Sequence, residues 1–502
     1  MSRRGSLVLL SLLASPALAA DPPATPSLNV LFIAVDDWRP SGGAYGDPTT
    51  LTPNIDRLAA RGVVFRRAYC QQAVCSPSRT SLLTGRRPDT TRVYDLETHF
   101  RTTIPDAVTL PQHFKAHGYH AEGMGKIYHG GLDDPASWSV PHWSPKAPGF
   151  GPEGQAVLRR LQSEADAQPK PKAAAKKKAD NRVRGLPFEA PDVPDDALAD
   201  GVLAAHAVER LAALKDRPFF LAVGFVKPHL PFVAPKRYWD RYDRDTLSLA
   251  KNPFPPAEAP AFAGSDWGEL RAYVGIPKSG PLPDEQARSL IHGYRAATSF
   301  MDAQIGRLLD ALDASGVADR TVIVLWGDHG WKLGEHGMWC KHTNYENDTN
   351  APLLLAAPGR AKGRRADGLV EFVDIYPTLA ELCRLPRPEG LEGASLVPLL
   401  DDPDRPGKAA VFSQYPRSIP GRGRAMGYAM RTDRYRLVSW KPLAGGDRVD
   451  ELYDHQADPA ENANLAGKPE HAAILEALRA RLDAGPKAVA PPSSASPARR
   501  AG

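Results

Sequence analysis

The chain has 502 residues with 63 Lys plus Arg against 58 Asp plus Glu, 42% hydrophobic and 24% charged residues, and four cysteines. These proportions exclude a disordered chain, a fibre, a multi-span membrane protein and a disulfide-built scaffold, and leave room for two to four domains. Of the net charge of +5, the stretch from Lys170 to Arg184 supplies +6, so the remaining body is slightly acidic and its charge gives no support to a nucleic-acid-binding surface.

In chain order, Arg3 and Arg4, the apolar run Leu7 to Ala14 and the small residues Ala17-Leu18-Ala19 read as a Sec-type signal peptide over residues 1–20, cleaved near Ala19 or Ala20. The mature protein is then expected outside the cytoplasm, in the periplasm or the medium, with no later segment long enough to span a membrane. Asn29 to Val35 (NVLFIAV) is a continuous apolar run ending in Asp36 and Asp37, the pattern of a strand covered on both faces. Pro218 to Val226, Thr321 to Gly327 and Pro352 to Ala357 have the same character. Helical patterns run over Asn54 to Arg61, Ala197 to Lys215 and Asp284 to Ala314. Alternation of buried strands with amphipathic helices predicts an α/β domain over residues 27–400, with a large, mostly parallel central sheet flanked by helices. Polar residues directly after such strands sit at the carboxyl edge, where open sheets build their sites.

Residues 169–180 (PKPKAAAKKKAD) have no hydrophobic face and read as a basic, solvated inserted loop. After residue 400 the pattern changes to short strands, Ala409 to Ser413, Gly427 to Arg431 and Tyr435 to Trp440, which predict a smaller antiparallel sheet in a subdomain over residues 401–484. Residues 485–502 read as a disordered tail.

The most specific string is Cys75-Ser76-Pro77-Ser78-Arg79, continuing through Leu83-Thr84-Gly85. If a helix starts there, the guanidinium at i+4 returns to the side of the cysteine. Taken alone, Cys75 is a reactive thiol, a buried structural thiol or half of a disulfide with Cys70. CSPSRTSLLTG matches the modification signature of type I sulfatases, C-x-P-S-R-x-x-x-L-T-G, and the chain is identified as a member of that family within the alkaline-phosphatase-like superfamily. NVLFIAVDDW (29–38), TPNIDRLAARG (52–62), GKIYH (125–129), KPHLPF (227–232), GDHGWKLGEH (327–336) and LYDHQADPAENANL (452–465) resemble the other family blocks in the same order. The wording most resembles the iduronate-2-sulfatase branch.

The resemblance implies hydrolysis of a sulfate ester, with Cys75 converted to formylglycine by a generating enzyme. It implies metal ligands Asp36, Asp37, Asp328, His329 and the oxygen of residue 75. A carboxylate-rich set favours Ca²⁺, while His329, where many relatives carry Asn, keeps Mg²⁺ or Mn²⁺ in play. By the same resemblance Arg79 orients residue 75, Lys126 and Lys341 grip sulfate oxygens, His129 binds residue 75 and assists collapse, and His229 is the general acid at the bridging oxygen. The implied substrate is a sulfated carbohydrate. Alternatives are choline-sulfatase-like or arylsulfatase activity, phosphonate monoester hydrolysis, and an inactive homologue that binds sulfated glycans without turnover. A disulfide among Cys70, Cys340 and Cys383 is compatible with an oxidising compartment, Cys70 and Cys340 flanking residues expected to meet. Trp38, Trp331, Trp339 and His336 are candidates either for the cleft wall or for ordinary packing.

Overall fold

The computed structural model describes residues 28–167 and 183–489. The expected signal peptide, the basic loop 169–180 and the tail beyond residue 489 lie outside the described residues; the start of that tail, Pro486–Val489, forms a 3-10 turn. A seven-stranded sheet runs in the order Arg364–Ala366, Val63–Phe65, Leu353–Ala356, Thr321–Gly327, Asn29–Val35, Phe219–Phe225, His120–Gly125.

The continuous apolar run of Asn29–Val35 is explained by its neighbours. It is hydrogen-bonded in parallel to Phe219–Phe225 on one side and Thr321–Gly327 on the other. Successive side chains point to opposite faces. Val30, Phe32 and Ala34 enter one apolar layer, and Leu31, Ile33 and Val35 enter the other. The helices Ala199–Leu214 and Asp284–Ala314 cover the second layer through Leu203, Leu211, Ile305 and Leu309. The helices Cys75–Thr84, Leu110–Ala116 and Ile375–Leu382 cover the first through Leu82, Leu83, Phe114 and Leu379. Both faces are therefore closed, as the apolar strands require.

One strand departs from the parallel set. Leu353–Ala356 runs antiparallel to both of its neighbours. The chain leaves Thr321–Gly327 at the carboxyl edge and, after residues 328–352, re-enters the sheet at that same edge, with Gly327 N–H donating to Pro352 O at 3.0 Å. With no crossover helix the return must be antiparallel. The edge strand His120–Gly125 (HAEGMG) carries no apolar run and was not expected from the sequence; Arg210 holds its Glu122 at 2.7 and 2.9 Å.

The smaller sheet is a four-stranded antiparallel meander, Val411–Ile419, Gly423–Arg431, Tyr435–Pro442 and Val449–Asp454. Its first two strands are longer than the sequence pattern suggested, and the fourth was not anticipated. Leu475, Leu478 and Leu482 of the helix Ala472–Ala484 pack on Phe412, Met430, Leu437 and Leu452. The other face meets Ala263 and Phe262 through Ala425, Ala429, Val438 and Trp440. Among the described residues no helix is long and apolar enough to cross a membrane.

Candidate active site

Four parallel strands end at one edge and each delivers polar residues there: Asp36 and Asp37 after Val35, Lys126 after Gly125, Lys227 to His229 after Phe225, and Asp328 and His329 after Gly327. Asp36 N–H donates to Phe225 O at 3.2 Å and Asp328 N–H to Val35 O at 3.1 Å, which ties the three central strand ends together. Glycine is needed at 125, where φ is +69° and a Cβ would lie 2.2 Å from Gly224 O. Asp37, at φ 58°, turns back so that its N–H donates to Asp328 Oδ1 at 3.1 Å.

Cys75 is the first residue of the buried helix Cys75–Thr84, which Gly85 closes at φ 65°. Arg79, one turn on, has no exposed surface. Its Nε donates to Asp328 Oδ2 at 2.9 Å, its Nη2 to Asp36 Oδ1 at 3.1 Å, and its Nη1 to the carbonyls of Lys126 and Ile127. Ser78 Oγ donates to Asp328 O at 2.5 Å. Cys75 Sγ stands 3.4 Å from His329 Nε2 and 3.9 Å from Lys126 Nζ. Burial, with the Asp36 charge, pushes its thiol well above the ordinary value, so as a thiol it stays protonated and inert.

Lys126 donates to Asp36 Oδ2, and Lys341 donates to both oxygens of Asp37 at 2.9 Å while lying 4.9 Å above the Trp331 ring. Burial works against both ammonium groups, but Asp36 and residue 75 raise Lys126, and Asp37 and Glu269 raise Lys341. Burial also works against ionisation of Asp36; Lys126, His229 and Arg79 outweigh it and hold that carboxyl well below the usual range. Asp37 is pushed up, chiefly by burial. His229 Nδ1 lies 2.5 Å from Leu230 O. A carbonyl only accepts, so Nδ1 carries a proton and Nε2 faces Glu269 Oε1 at 3.1 Å and Asp37 Oδ2 at 3.7 Å.

The donor set fits a hard divalent cation. Asp36, Asp37 and Asp328 are fully buried, and their oxygens group with Cys75 Sγ and His329 Nε2, the ligand atoms of each group lying within 4.8 Å of one another. His329 Nδ1 is 3.0 Å from Gly330 O, which places its proton there and leaves the Nε2 lone pair toward the carboxylates, as a ligating imidazole requires. The carboxylates of Asp36, Asp37, Asp328 and Glu269 face the cations of Arg79, Lys126 and Lys341. The side chains leave no net positive charge in this cluster, and a divalent ion makes it positive, which suits an anionic ester.

Asp36, Asp37, Cys75, Arg79, Lys126, His229, Asp328, His329 and Lys341 thus converge. His129 lies in the field of Lys126, Asp36 and Arg79; burial first, then Lys126, lowers it to about 4, and its Nδ1 is buried without a partner among the described residues. Two residues had been missed. Glu269, on the short helix Gly268–Arg271, joins Lys341 at 2.8 Å to His229. Lys227, lowered to about 8 by burial that Asp200 only partly offsets, donates to the carbonyls of His229 at 2.9 Å and Pro231 at 2.6 Å. The KPHLPF block pointed to Lys227; no local signal marks Glu269.

The disulfide expectation is corrected: all four cysteines are free and buried. Cys70 belongs to one apolar layer beside Asp348 O, Cys340 packs in another cluster with Trp331 and Tyr273, and Cys383 donates to Leu28 O at 3.7 Å. Trp331 borders the site through Lys341, Trp38 and Trp339 pack in apolar clusters, and His336, which donates to Ala460 O at 2.7 Å beside Tyr345, lines a cavity next to the site.

Residues 28–384 match the family described as Sulfatase, and residues 334–487 match the one described as N-sulphoglucosamine sulphohydrolase, C-terminal. Iduronate 2-sulfatase of Mus musculus is 34% identical over 535 residues, covering 91% of this chain and 94% of that protein. In fold, the chain is similar to a solved structure in complex with its substrate D-glucosamine-2-N,6-O-disulfate (TM-score 0.71, 22% identity, 92% of this chain and 98% of the other). It is also similar to the phosphonate monoester hydrolase of Agrobacterium radiobacter (TM-score 0.70, 24% identity, 92% and 95%). Fold and relatives define a sulfuric ester hydrolase. The chain belongs to the sulfatase family, and its sequence is similar to the iduronate 2-sulfatases over most of its length.

Proposed function

We propose that the protein is an exported hydrolase of sulfated carbohydrates, of iduronate-2-sulfatase type, that works through formylglycine at residue 75 and one divalent cation, Ca²⁺ before Mg²⁺ or Mn²⁺. A maturation enzyme that oxidises Cys75 is the implied partner. The observation that carries this reading is the position of Cys75, at the start of a buried helix between Lys126, His329 and the three strand-end carboxylates.

As an aldehyde hydrate, residue 75 carries two geminal hydroxyls, one to attack sulfur and one whose deprotonation expels sulfate later. Asp36, Asp37, Asp328 and His329 hold the cation, which when bound polarises the nucleophilic hydroxyl and a sulfate oxygen. Arg79 keeps Asp36 and Asp328 in place and helps to keep Asp36 charged, while the carbonyls of Lys126 and Ile127 fix its own plane. Lys126 and Lys341 take the sulfate oxygens; at ~4 Å and an effective dielectric of about 20 each contact is on the order of 4 kcal/mol before desolvation. His229 gives its Nε2 proton to the bridging oxygen as the S–O bond breaks, so the sugar leaves as an alcohol rather than an alkoxide. His129, held neutral, accepts the proton released when the hydrate collapses.

The test joins mass and rate. The peptide containing residue 75 is expected about 18 Da lighter than its thiol form, and Cys75→Ala is expected to abolish turnover. Retained turnover in that variant would remove the nucleophile. A panel of 4-nitrophenyl sulfate, phenylphosphonate and sulfated disaccharides separates the activities, and faster turnover of the phosphonate would move the assignment to phosphonate monoesters.

A further inference from the structure

Two residues of the site have neighbours that open onto a second space. His342 follows Lys341 and Gly268 precedes Glu269, and both line a cavity of about 800 Å³ walled also by Trp267, Tyr345, Tyr415 and Arg417. That volume lies within the range of small-molecule sites. The backbone around it is unusual: Trp267, His336, Cys340 and His342 all have positive φ, from 42° to 86°, although none is glycine. Such conformations persist only where surrounding contacts hold them, and they cluster at functional sites.

Arg417, on the strand Val411–Ile419 of the smaller sheet, holds one of them, His342, by its carbonyl. Its Nε donates to Gly264 O at 3.0 Å, its Nη1 to Pro416 O at 3.0 Å and its Nη2 to His342 O, and it lies 4.5 Å above the Tyr415 ring. A guanidinium has five N–H groups; three go to carbonyls and one meets the Tyr415 hydroxyl, so an N–H on an Nη is left over for a carboxylate or sulfate. Among the described residues no carboxylate pairs with this half-buried cation. The one carboxylate in the cavity wall, Asp266, is exposed at the rim, where Arg271 faces it. A partly desolvated cation without a counter-charge is best neutralised by an anion from outside.

We propose that the cavity holds the sugar bearing the scissile sulfate and that Arg417 pairs with a second anionic group on it, a carboxylate or a further sulfate. This rests on the sulfatase reading above and adds a specificity-determining residue to it. Lys341 then takes the ester to be cleaved, and Arg417 selects acidic sugars over neutral ones that carry the same ester. The ring of His342, one residue from Lys341 and held neutral by burial and by Lys341, faces the sugar hydroxyls.

The experiment compares kcat/KM on three disaccharides with the same scissile sulfate: one carrying a carboxylate on that sugar, one with the carboxyl reduced to hydroxymethyl, and one with a second sulfate instead. In the wild-type protein an anionic substrate is expected to lead the reduced one by about 10–10²-fold, the worth of a hydrogen bond to a charged group. Which of the two leads names the anion. Arg417→Gln is expected to bring the ratio close to one, and Arg417→Lys, which keeps the charge without the fork, to leave it intermediate. The ratio is internal to each variant, so a loss of folded protein cancels. An unchanged ratio in either variant overturns the proposal. If chain with converted residue 75 turns over none of the three, the function reading fails; the same ratio, read as Kd by calorimetry, then decides the role of Arg417 by itself.

Discussion

Replacing Arg79 by Met tests the centre of the arrangement. The guanidinium is wholly buried and makes contacts to Asp328 at 2.9 Å, to Asp36 at 3.1 Å and to two carbonyls. Met has similar length but leaves both carboxylates without their shared cation. Breaking a buried pair by removing one partner costs about 3–5 kcal/mol, and the two carbonyls that lose a donor add roughly 1 kcal/mol each at most. Lys126 still neutralises Asp36, so the lower end applies, about 4 kcal/mol in total. Denaturant unfolding in the presence of a chelator reads this as a lower midpoint with an unchanged slope. Excess Ca²⁺ is expected to recover part of the loss, because an ion at the same carboxylates supplies the missing compensation. Arg79→Lys is expected to lose about 10²–10³-fold in kcat, since an ammonium cannot span Asp36, Asp328 and two carbonyls at once. An unchanged midpoint in Arg79→Met, or full activity in Arg79→Lys, would refute the reasoning.

Glu269→Gln removes the charge that joins His229 to Lys341, so it should slow esters with poor leaving groups more than 4-nitrophenyl sulfate; equal losses would show that it does not act through His229. Chelation should abolish turnover and lower the melting temperature, with Ca²⁺ restoring both; activity that survives exhaustive chelation would exclude the cation. Away from the site, burial would raise Glu371, but Arg87 and Lys408 outweigh it and lower it to about 2. Its folded value lies below its unfolded one, so its stabilisation is complete above about pH 4.5 and is lost as pH falls toward 2. Asp374, pushed up chiefly by burial, works in the opposite sense and reduces the net change. Arg87→Met should flatten the acid limb of a stability–pH curve; an identical limb in both proteins would show the pair to be silent.

Much of the site was legible because its residues sit beside strong local signals. An unbroken run of six apolar residues can be satisfied only by neighbours on both faces, so NVLFIAV followed by Asp36 and Asp37 marks a strand end in the sheet's interior. The same holds for TVIVLWG and Asp328, and the i+4 spacing puts Arg79 on the side of Cys75. His120–Gly125 was not legible, because glycine and glutamate carry no strand pattern and Arg210 on another helix supplies the counter-charge. The antiparallel return of Leu353–Ala356 was hidden as well, since an apolar strand reads the same in either direction.

By itself, then, the sequence determined the family, the buried strands and the positions in chain order of the nine converging groups, because each is encoded by a short string whose chemistry is local. Only the tertiary structure decided that Glu269 bridges His229 and Lys341, that the four thiols stay unpaired, and that Arg417 reaches His342 across 75 residues of chain. Those contacts arise where separate elements pack, and charge pairing at such a junction depends on distances that no spacing along the chain specifies.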